Sequence, residues 1–146
     1  ALNTRMVRAM ARDGEGATKM IECTIEGAKD EPTAKRIALS VVSSSLVKAA
    51  MFGADANWGR VLCAIGYSGC EVDVHQVSVD FVSKTGHIGV CRNGAGIDFD
   101  EQIAKEVLSD DEITIQVQLQ DGTARAAAFG CDLTYDYVKI NGDYRT

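Results

Sequence analysis

The feature that most restricts the fold of this sequence is a strict alternation of apolar and polar residues in EITIQVQLQ, residues 112–120. Residues such as Ile113 and Ile115 fall on one face of an extended chain, and the Thr and Gln side chains fall on the other. Asp121 and Gly122 follow directly, and an Asp-Gly pair between two such segments is typical of a tight β-hairpin. We therefore predict that TARAAAFGC returns antiparallel beside this strand.

Further helices and strands follow from the same kind of pattern. Helical spacing of apolar residues predicts helices over 1–11, over 32–53, from 57 to 66 or 69, and over 101–108. Alternation predicts a strand over 17–27 and a hairpin made of 76–83 and 87–94. The predicted fold is therefore α+β, a layered α/β sandwich with a mainly antiparallel sheet, in a single domain spanning residues 1–146.

Charge and hydropathy exclude several classes of partner. The net charge is −6 and there is no dense basic run, which argues against nucleic acid. The apolar stretches are far shorter than the roughly 20 residues of a membrane span, and no leader pattern opens the sequence. We therefore expect a cytoplasmic protein that binds neither nucleic acid nor membrane.

The cysteines and histidines give no clear metal or nucleophile motif. The five cysteines are scattered without a CxxC pair, so we predict reduced thiols and no metal site. Spacing alone allows a nucleophile pair of Cys91 with His87, but histidines in such a position are more often structural.

Three polar segments have both a functional and a purely structural interpretation. RDGEG, residues 12–16, holds a carboxylate between two glycines, which suits either a ligand or a solvated turn. GADANWGR, residues 53–60, opens a helix whose N-terminus can bind an anion or a carbonyl oxygen, or simply be capped. NGDYRT, residues 141–146, is either a fraying tail or an ordered hydrogen-bonding one.

These segments carry a resemblance to a known family. RDGEGATK, LVKAAMFGADANWGR, GCDLTYDYVKIN and the closing YRT resemble the C-terminal part of the ornithine acetyltransferases, also called bifunctional glutamate N-acetyltransferase/amino-acid acetyltransferases. The resemblance covers essentially the whole sequence. It implies a part of an N-terminal-nucleophile-type acetyltransferase fold.

The resemblance also implies an activity in arginine biosynthesis. Such precursors cut themselves before a threonine into α and β chains, and the new N-terminal threonine of the β chain is the nucleophile. It carries the acetyl group from N2-acetylornithine to glutamate through an acetyl-threonine intermediate. No cofactor is implied, whether acetyl-CoA is a further co-substrate stays open, and the expected assembly is an α2β2 heterotetramer with the α chain of the same precursor.

Residue roles are carried over only where the motifs match. The family's substrate-binding positions fall on Glu15, Asn141 and Thr146. Five further residues are expected either to support the substrate-binding residues or to have a structural role: Asp13, Asp55, Asn57, Trp58 and Arg60. The nucleophilic threonine is expected upstream of Ala1, so no catalytic residue is assigned, and the isolated chain, as a C-terminal portion of the β chain, is expected to be inactive.

A second interpretation stays open. The same residues suit a non-catalytic module that binds an amino acid or supports assembly. A threonine at an autocleavage junction upstream in the reading frame would favour the enzyme.

Overall fold

The structure, a computed structural model, describes residues 19–132. Four α-helices lie in this part of the chain: α1 (Glu31–Ser43), α2 (Ser45–Phe52), α3 (Trp58–Gly66) and α4 (Glu101–Leu108). The strands are β1 (Met20–Ala28), β2 (Ser78–Ser83), β3 (Gly86–Arg92), β4 (Ala95–Gly96), β5 (Glu112–Gln118) and β6 (Ala124–Cys131). The structure confirms the predicted strand near the start and the β2–β3 hairpin. It also confirms the two predicted helices that correspond to α3 and α4.

All six strands form one sheet in the order β4-β3-β2-β5-β1-β6. β1 runs parallel to β5, and the other four pairings are antiparallel. The apolar face of the sheet and the four helices enclose a single core that includes Cys23, Ile115 and Phe81, which are fully buried. The predicted α+β class with a mainly antiparallel sheet is therefore confirmed.

The predicted hairpin between the last two strands is wrong, because β1 lies between β5 and β6. The chain leaving β5 crosses the end of β1, where Asp121 N–H donates to the Gly27 carbonyl at 2.8 Å. A Cβ at Gly122 would lie 2.6 Å from the Ala28 carbonyl oxygen. The Asp-Gly pair thus serves a close backbone crossing, which uses the same residue types as a tight turn.

The long helix predicted over residues 32–53 is divided at Ser44. Its backbone is extended there, with φ −70° and ψ 120°, and its N–H still donates to the Val41 carbonyl at 3.2 Å. The Ser44 hydroxyl accepts from Val47 N–H at 3.2 Å and so caps α2. A serine competes with the helix backbone for such bonds, which explains the break within SVVSSSLV.

The second face of the sheet carries polar side chains. β1 contributes Glu22, Thr24 and Glu26, which pair across the sheet with polar residues of β5. These side chains are half-buried or exposed, whereas their neighbours on the apolar face are buried. Within residues 19–132, the helices contribute to the core on the apolar face of the sheet.

Candidate functional site

The residues predicted to contact or flank the substrate fall mostly outside the described part of the chain. Asp13, Glu15, Asn141 and Thr146 lie beyond residues 19–132, and their roles stay predictions. Lys19 and Asp132 belong to the same two motif strings and mark the limits of the described chain. The geometry of this pair shows where the two motif segments join the sheet.

Lys19 and Asp132 are hydrogen-bonded to each other. The Lys19 N–H donates to Asp132 Oδ1 at 2.9 Å, and the Asp132 N–H donates to the Lys19 carbonyl at 3.1 Å. These bonds extend the antiparallel pairing of β1 and β6 by one residue beyond Met20 and Cys131. Asp132 is only 2% exposed. One residue from each motif string therefore lies at this end of the β1–β6 pairing.

The side chain of Lys19 is anchored separately. Its Nζ donates to the carbonyls of Met51 at 2.6 Å and Leu108 at 2.7 Å, in the last turns of α2 and α4. The C-terminal end of a helix carries unpaired carbonyls and a partial negative charge, which an ammonium group satisfies. Burial lowers the pKa of Lys19, and the charge of Asp132 partly opposes this. Residue 19 is thus held through both backbone and side chain.

Sequence reasoning missed the roles of Lys19 and Asp132, although one signal was available. The alternation of residues 17–27 places Lys19 on the same face as the apolar Ile21 and Cys23. A charged residue on the core face of a strand needs internal partners, since an unpaired buried charge is costly. The two helix ends that supply those partners are distant in the sequence.

The polar side chains of the GADANWGR segment form hydrogen bonds within the protein. The Asn57 side chain accepts from Arg60 N–H at 3.1 Å and caps α3, while Asn57 Nδ2 donates to Asp55 Oδ2 at 3.2 Å. Arg60 Nη1 donates to the Leu46 carbonyl at 3.0 Å and so links α3 to α2. The helix N-terminus thus already has an acceptor in Asn57.

Trp58, the remaining residue of that segment, packs against β4. A Cβ at Gly96 would lie 2.5 Å from the Trp58 ring, so the glycine makes room for the indole. Trp58 is half-buried against the hydrophobic core. Each predicted supporting residue from Asp55 to Arg60 therefore has an internal partner, and a contact with substrate stays untested.

A polar groove lies on the open face of the sheet, which is the face that carries the polar side chains. The sequence patterns did not predict it. Its volume is about 490 Å³, and its lining includes Thr24, Asp80, Arg92 and Gln116. Asp80 accepts from Arg92 Nη1 at 2.5 Å and contacts His87 Nε2. Burial opposes the charge on Asp80, but the hydrogen bonds and charges of Arg92 and His87 outweigh it and lower the pKa of the carboxyl.

The nucleophile pair that spacing allowed between Cys91 and His87 does not form. A register shift near Val79 and Asp80 turns Cys91 into the core, where its thiol lies 3.7 Å from the Val77 carbonyl. His87 is on the open face and contacts Asp80. Burial also raises the pKa of the Cys91 thiol, which disfavours the reactive thiolate. The purely structural interpretation of the two residues agrees with this geometry.

Residues 19–132 contain no group of three or more His, Cys, Asp or Glu side chains that could hold a metal ion. Their helices are too short or too polar for any of them to cross a membrane.

A comparison with protein families decides the relationship of the chain. The sequence model of the ArgJ family matches residues 1–146. The chain belongs to the ArgJ family. This confirms the resemblance to ornithine acetyltransferases, since ArgJ proteins are that family.

ArgJ relatives match almost the whole of this chain. It is 50% identical over 145 residues to the arginine biosynthesis bifunctional protein ArgJ 1 of Clostridium acetobutylicum and 52% identical to ArgJ of Caldanaerobacter subterraneus. Each alignment covers 99% of this chain and 36% of the relative. The chain therefore spans about a third of the length of the curated relatives it matches.

A solved ArgJ structure shares the fold. The crystal structure of the arginine biosynthesis bifunctional protein ArgJ from Bacillus halodurans matches with a TM-score of 0.89 and 44% identity. The match covers 96% of this chain and 64% of that chain. The sheet and helices described above are thus part of the ArgJ fold, an N-terminal-nucleophile fold.

Proposed function

We propose that this chain forms the substrate-contacting part of a cytoplasmic acetyltransferase that moves the acetyl group of N2-acetylornithine to glutamate. The observation that carries the proposal is the ArgJ family match over all of residues 1–146. The matched relatives are named as bifunctional proteins of arginine biosynthesis. The expected assembly is an α2β2 heterotetramer with the α chain of the same precursor.

The proposed reaction has two acyl transfers. In the first, a threonine hydroxyl of the same protein attacks the acetyl carbonyl, the amide C–N bond breaks, and ornithine leaves after its amine takes up the proton. In the second, the amine of glutamate attacks the acetyl ester, the ester C–O bond breaks, and the threonine oxygen takes up the proton that the amine loses. Both tetrahedral intermediates need hydrogen-bond donors for their oxyanion.

The role proposed for this chain is recognition of the amino-acid substrates. Glu15 is assigned to a substrate ammonium group, because a carboxylate forms its strongest hydrogen bonds with a cation. Asn141 and Thr146 are assigned to the polar groups of the same substrate. Support comes from the hydrogen-bonded pair of Lys19 and Asp132, because these two residues belong to the motif strings that contain Glu15 and Asn141.

The first prediction tests the assignment of Glu15. Glu15→Gln removes the charge but keeps the shape, so we expect KM for N2-acetylornithine to rise about tenfold or more, as losing a charged hydrogen bond costs roughly 1.5–3 kcal/mol. Initial rates of acetyl transfer to glutamate are measured with the full-length protein. Supplying acetyl-CoA in place of acetylornithine tests the further co-substrate.

Glu71→Gln is the matched control for this experiment, since Glu71 is an exposed carboxylate that follows α3. An unchanged KM in Glu15→Gln would remove Glu15 from the site. Absence of acetyl transfer in the unmodified full-length protein, with binding of acetylornithine retained, would favour the non-catalytic binding module.

A further inference from the structure

The polar groove on the open face of the sheet has charged side chains at both of its sides. Glu26 of β1 and Arg92 of β3 line it, and Asp80 of β2 lies next to Arg92. Glu26 pairs with Gln118, and Gln118 pairs with Ser78, so two strands lie between Glu26 and β3. Neighbouring strands are about 4.8 Å apart, which places the backbones of β1 and β3 roughly 14 Å from each other. A small molecule therefore fits between the two charged side chains.

Arg92 reaches this face of the sheet because of a β-bulge in β3. Two successive residues, Val90 and Cys91, are fully buried, whereas strict alternation would bury only one of them. The extra residue turns Arg92 to the open face, and the absence of a side chain at Gly89 leaves room for its guanidinium group. Bulges re-aim side chains in this way and are frequent beside functional sites. The backbone of β3 thus specifies where this cation lies.

Asp80 fixes the orientation of the guanidinium group without using all of its donors. The carboxylate accepts from Arg92 Nη1 at 2.5 Å and from Nη2 at 3.3 Å. Nη1 also donates to the carbonyl of Cys91 at 2.8 Å. A guanidinium group has five N–H donors, and within residues 19–132 the Nε–H of Arg92 has no acceptor. Arg92 is therefore held in place and can still bind an anionic group.

Glu26 is the free anion on the other side of the groove. Its side chain is exposed and forms no hydrogen bond or ion pair within the described chain, although Arg125 lies opposite it on β6. A carboxylate forms its strongest hydrogen bonds with a cation. Glu26 can therefore bind a cationic group that enters the groove.

The balance of charge in the groove indicates the class of ligand. Its lining carries two carboxylates, those of Glu26 and Asp80, and one guanidinium group, that of Arg92, so its net charge is −1. An amino acid with a cationic side chain has the complementary set, which is two cations and one carboxylate. The volume of about 490 Å³ lies within the range of roughly 300–1,000 Å³ that is usual for small-molecule sites. Uncharged hydrogen-bonding side chains, such as those of Thr24 and Gln116, line the space between the charges.

We propose that this groove binds a free amino acid with a cationic side chain, whose carboxylate lies on Arg92 and whose side-chain cation lies on Glu26. The α-ammonium group lies beside Asp80, because a carboxylate offers about four sites for hydrogen-bond donors. Only residues between 24 and 118 enter the assignment. It goes beyond the proposed acetyl transfer and does not rest on it.

The second prediction concerns the binding of L-lysine to the full-length protein. L-lysine has all three charged groups, and it is neither the acetyl donor nor the acetyl acceptor of the proposed reaction. L-norleucine lacks the side-chain ammonium, and 1,5-diaminopentane lacks the carboxylate. We expect each of them to bind at least tenfold more weakly than L-lysine, because each loses one charge-assisted contact. Isothermal titration calorimetry measures the three dissociation constants. Absence of L-lysine binding at millimolar concentrations, or equal affinity for L-norleucine, would overturn the proposal.

Two variants assign the two ends of the ligand. Glu26→Gln should raise Kd for L-lysine at least tenfold and leave Kd for L-norleucine nearly unchanged, because L-norleucine has no cation for Glu26. Arg92→Gln should weaken L-lysine and L-norleucine alike and leave 1,5-diaminopentane nearly unchanged. Glu71→Gln, which changes an exposed carboxylate outside this groove, is the matched control.

Glu26→Gln keeps the test decisive if Arg92→Gln fails to fold, since Glu26 has no internal partner within residues 19–132 to lose. An unchanged Kd for L-lysine in Glu26→Gln would place the ligand elsewhere and overturn the proposal. An equal rise in Kd for L-lysine and L-norleucine would also overturn it, because the effect would then not depend on the side-chain cation. Binding is measured without acetyl transfer, so either result leaves the proposed function to its own test.

Discussion

The tightest backbone constraint in the described chain is at Gly27, near the end of β1. Its φ is +82°, a conformation that L side chains rarely adopt. A Cβ would also lie 2.1 Å from the carbonyl oxygen of Leu119, where the chain leaving β5 crosses β1. Because Leu119 N–H donates to the Glu26 carbonyl at 2.7 Å, the crossing chain cannot move away without losing a bond.

The third prediction is that Gly27→Ala lowers the free energy of unfolding by at least about 2 kcal/mol, the combined cost of a disfavoured φ and an overpacked contact. Gly66→Ala is the control, since no heavy atom outside its own helix backbone and chain neighbours lies within 4 Å of the position of its Cβ and its φ is ordinary. Urea denaturation of the two variants and the unmodified protein measures the difference. Equal stability of the two variants would contradict the prediction.

At the scale of elements, the β2–β3 hairpin is held on its open face by Asp80, Arg92 and His87. Burial opposes the charge on Asp80, but the hydrogen bonds and charges of Arg92 and His87 outweigh it, so the pKa of Asp80 is lowered in the folded protein. The unfolded chain therefore binds a proton at higher pH than the folded protein does. The stabilisation by Asp80 is complete above the unfolded pKa, near 4, and is lost as the pH falls through the folded value.

The fourth prediction follows from the direction of the pKa shift of Asp80. Asp80→Asn should lower the thermal midpoint at pH 7, and the difference from the unmodified protein should shrink as the pH falls below about 4. Asp98→Asn, which changes an exposed aspartate near β4, is the control. Thermal unfolding followed by circular dichroism at several pH values measures the effect. A difference that stays constant from pH 7 to pH 3 would contradict the role of the Asp80 charge.

The elements that sequence patterns predicted correctly are those with local causes. α3 begins after Asn57 and α4 after Asp100, and both residues cap their helices with their own side chains. Patterns failed where a distant segment decides the structure. Nothing near Asp121 shows that β1 will lie between β5 and β6, and the anchor of Lys19 depends on helix ends 32 and 89 residues away.

The candidate site likewise has some features that are continuous in the sequence and others that depend on distant segments. The motif strings around Glu15 and Asn141 were visible in the sequence, because each is continuous. The pairing of Lys19 with Asp132 was not visible, since 113 residues separate them. The groove around Asp80 was likewise missed, because it is assembled from four strands whose order the local patterns do not determine.

At the scale of the whole molecule, β1 joins the most distant parts of the described chain. It pairs along its length with β5 on one side and β6 on the other, so its register depends on residues about 90 to 110 positions away. β4, in contrast, pairs only with β3 at the end of the sheet, through two exposed residues. The two strands should therefore differ in how their backbone hydrogen bonds open.

The fifth prediction concerns hydrogen exchange. Amides of β1 should exchange only through global unfolding, and amides at Ala95 and Gly96 should exchange through local opening. Consequently, Gly27→Ala should speed exchange in β1 and leave the exchange in β4 nearly unchanged. Hydrogen–deuterium exchange of both proteins, read by mass spectrometry, measures this. Equal acceleration in the two strands would contradict it.

The bonding of Lys19 to Asp132 has a consequence for the architecture of longer proteins. Since the chain enters and leaves the sheet at neighbouring residues, the unit between them can be carried within a larger polypeptide without separating the flanking sequences. Such a unit can be inserted into another protein, by evolution or by engineering, because the host chain has to be interrupted at only one position. Residues 19–132 meet that geometric condition.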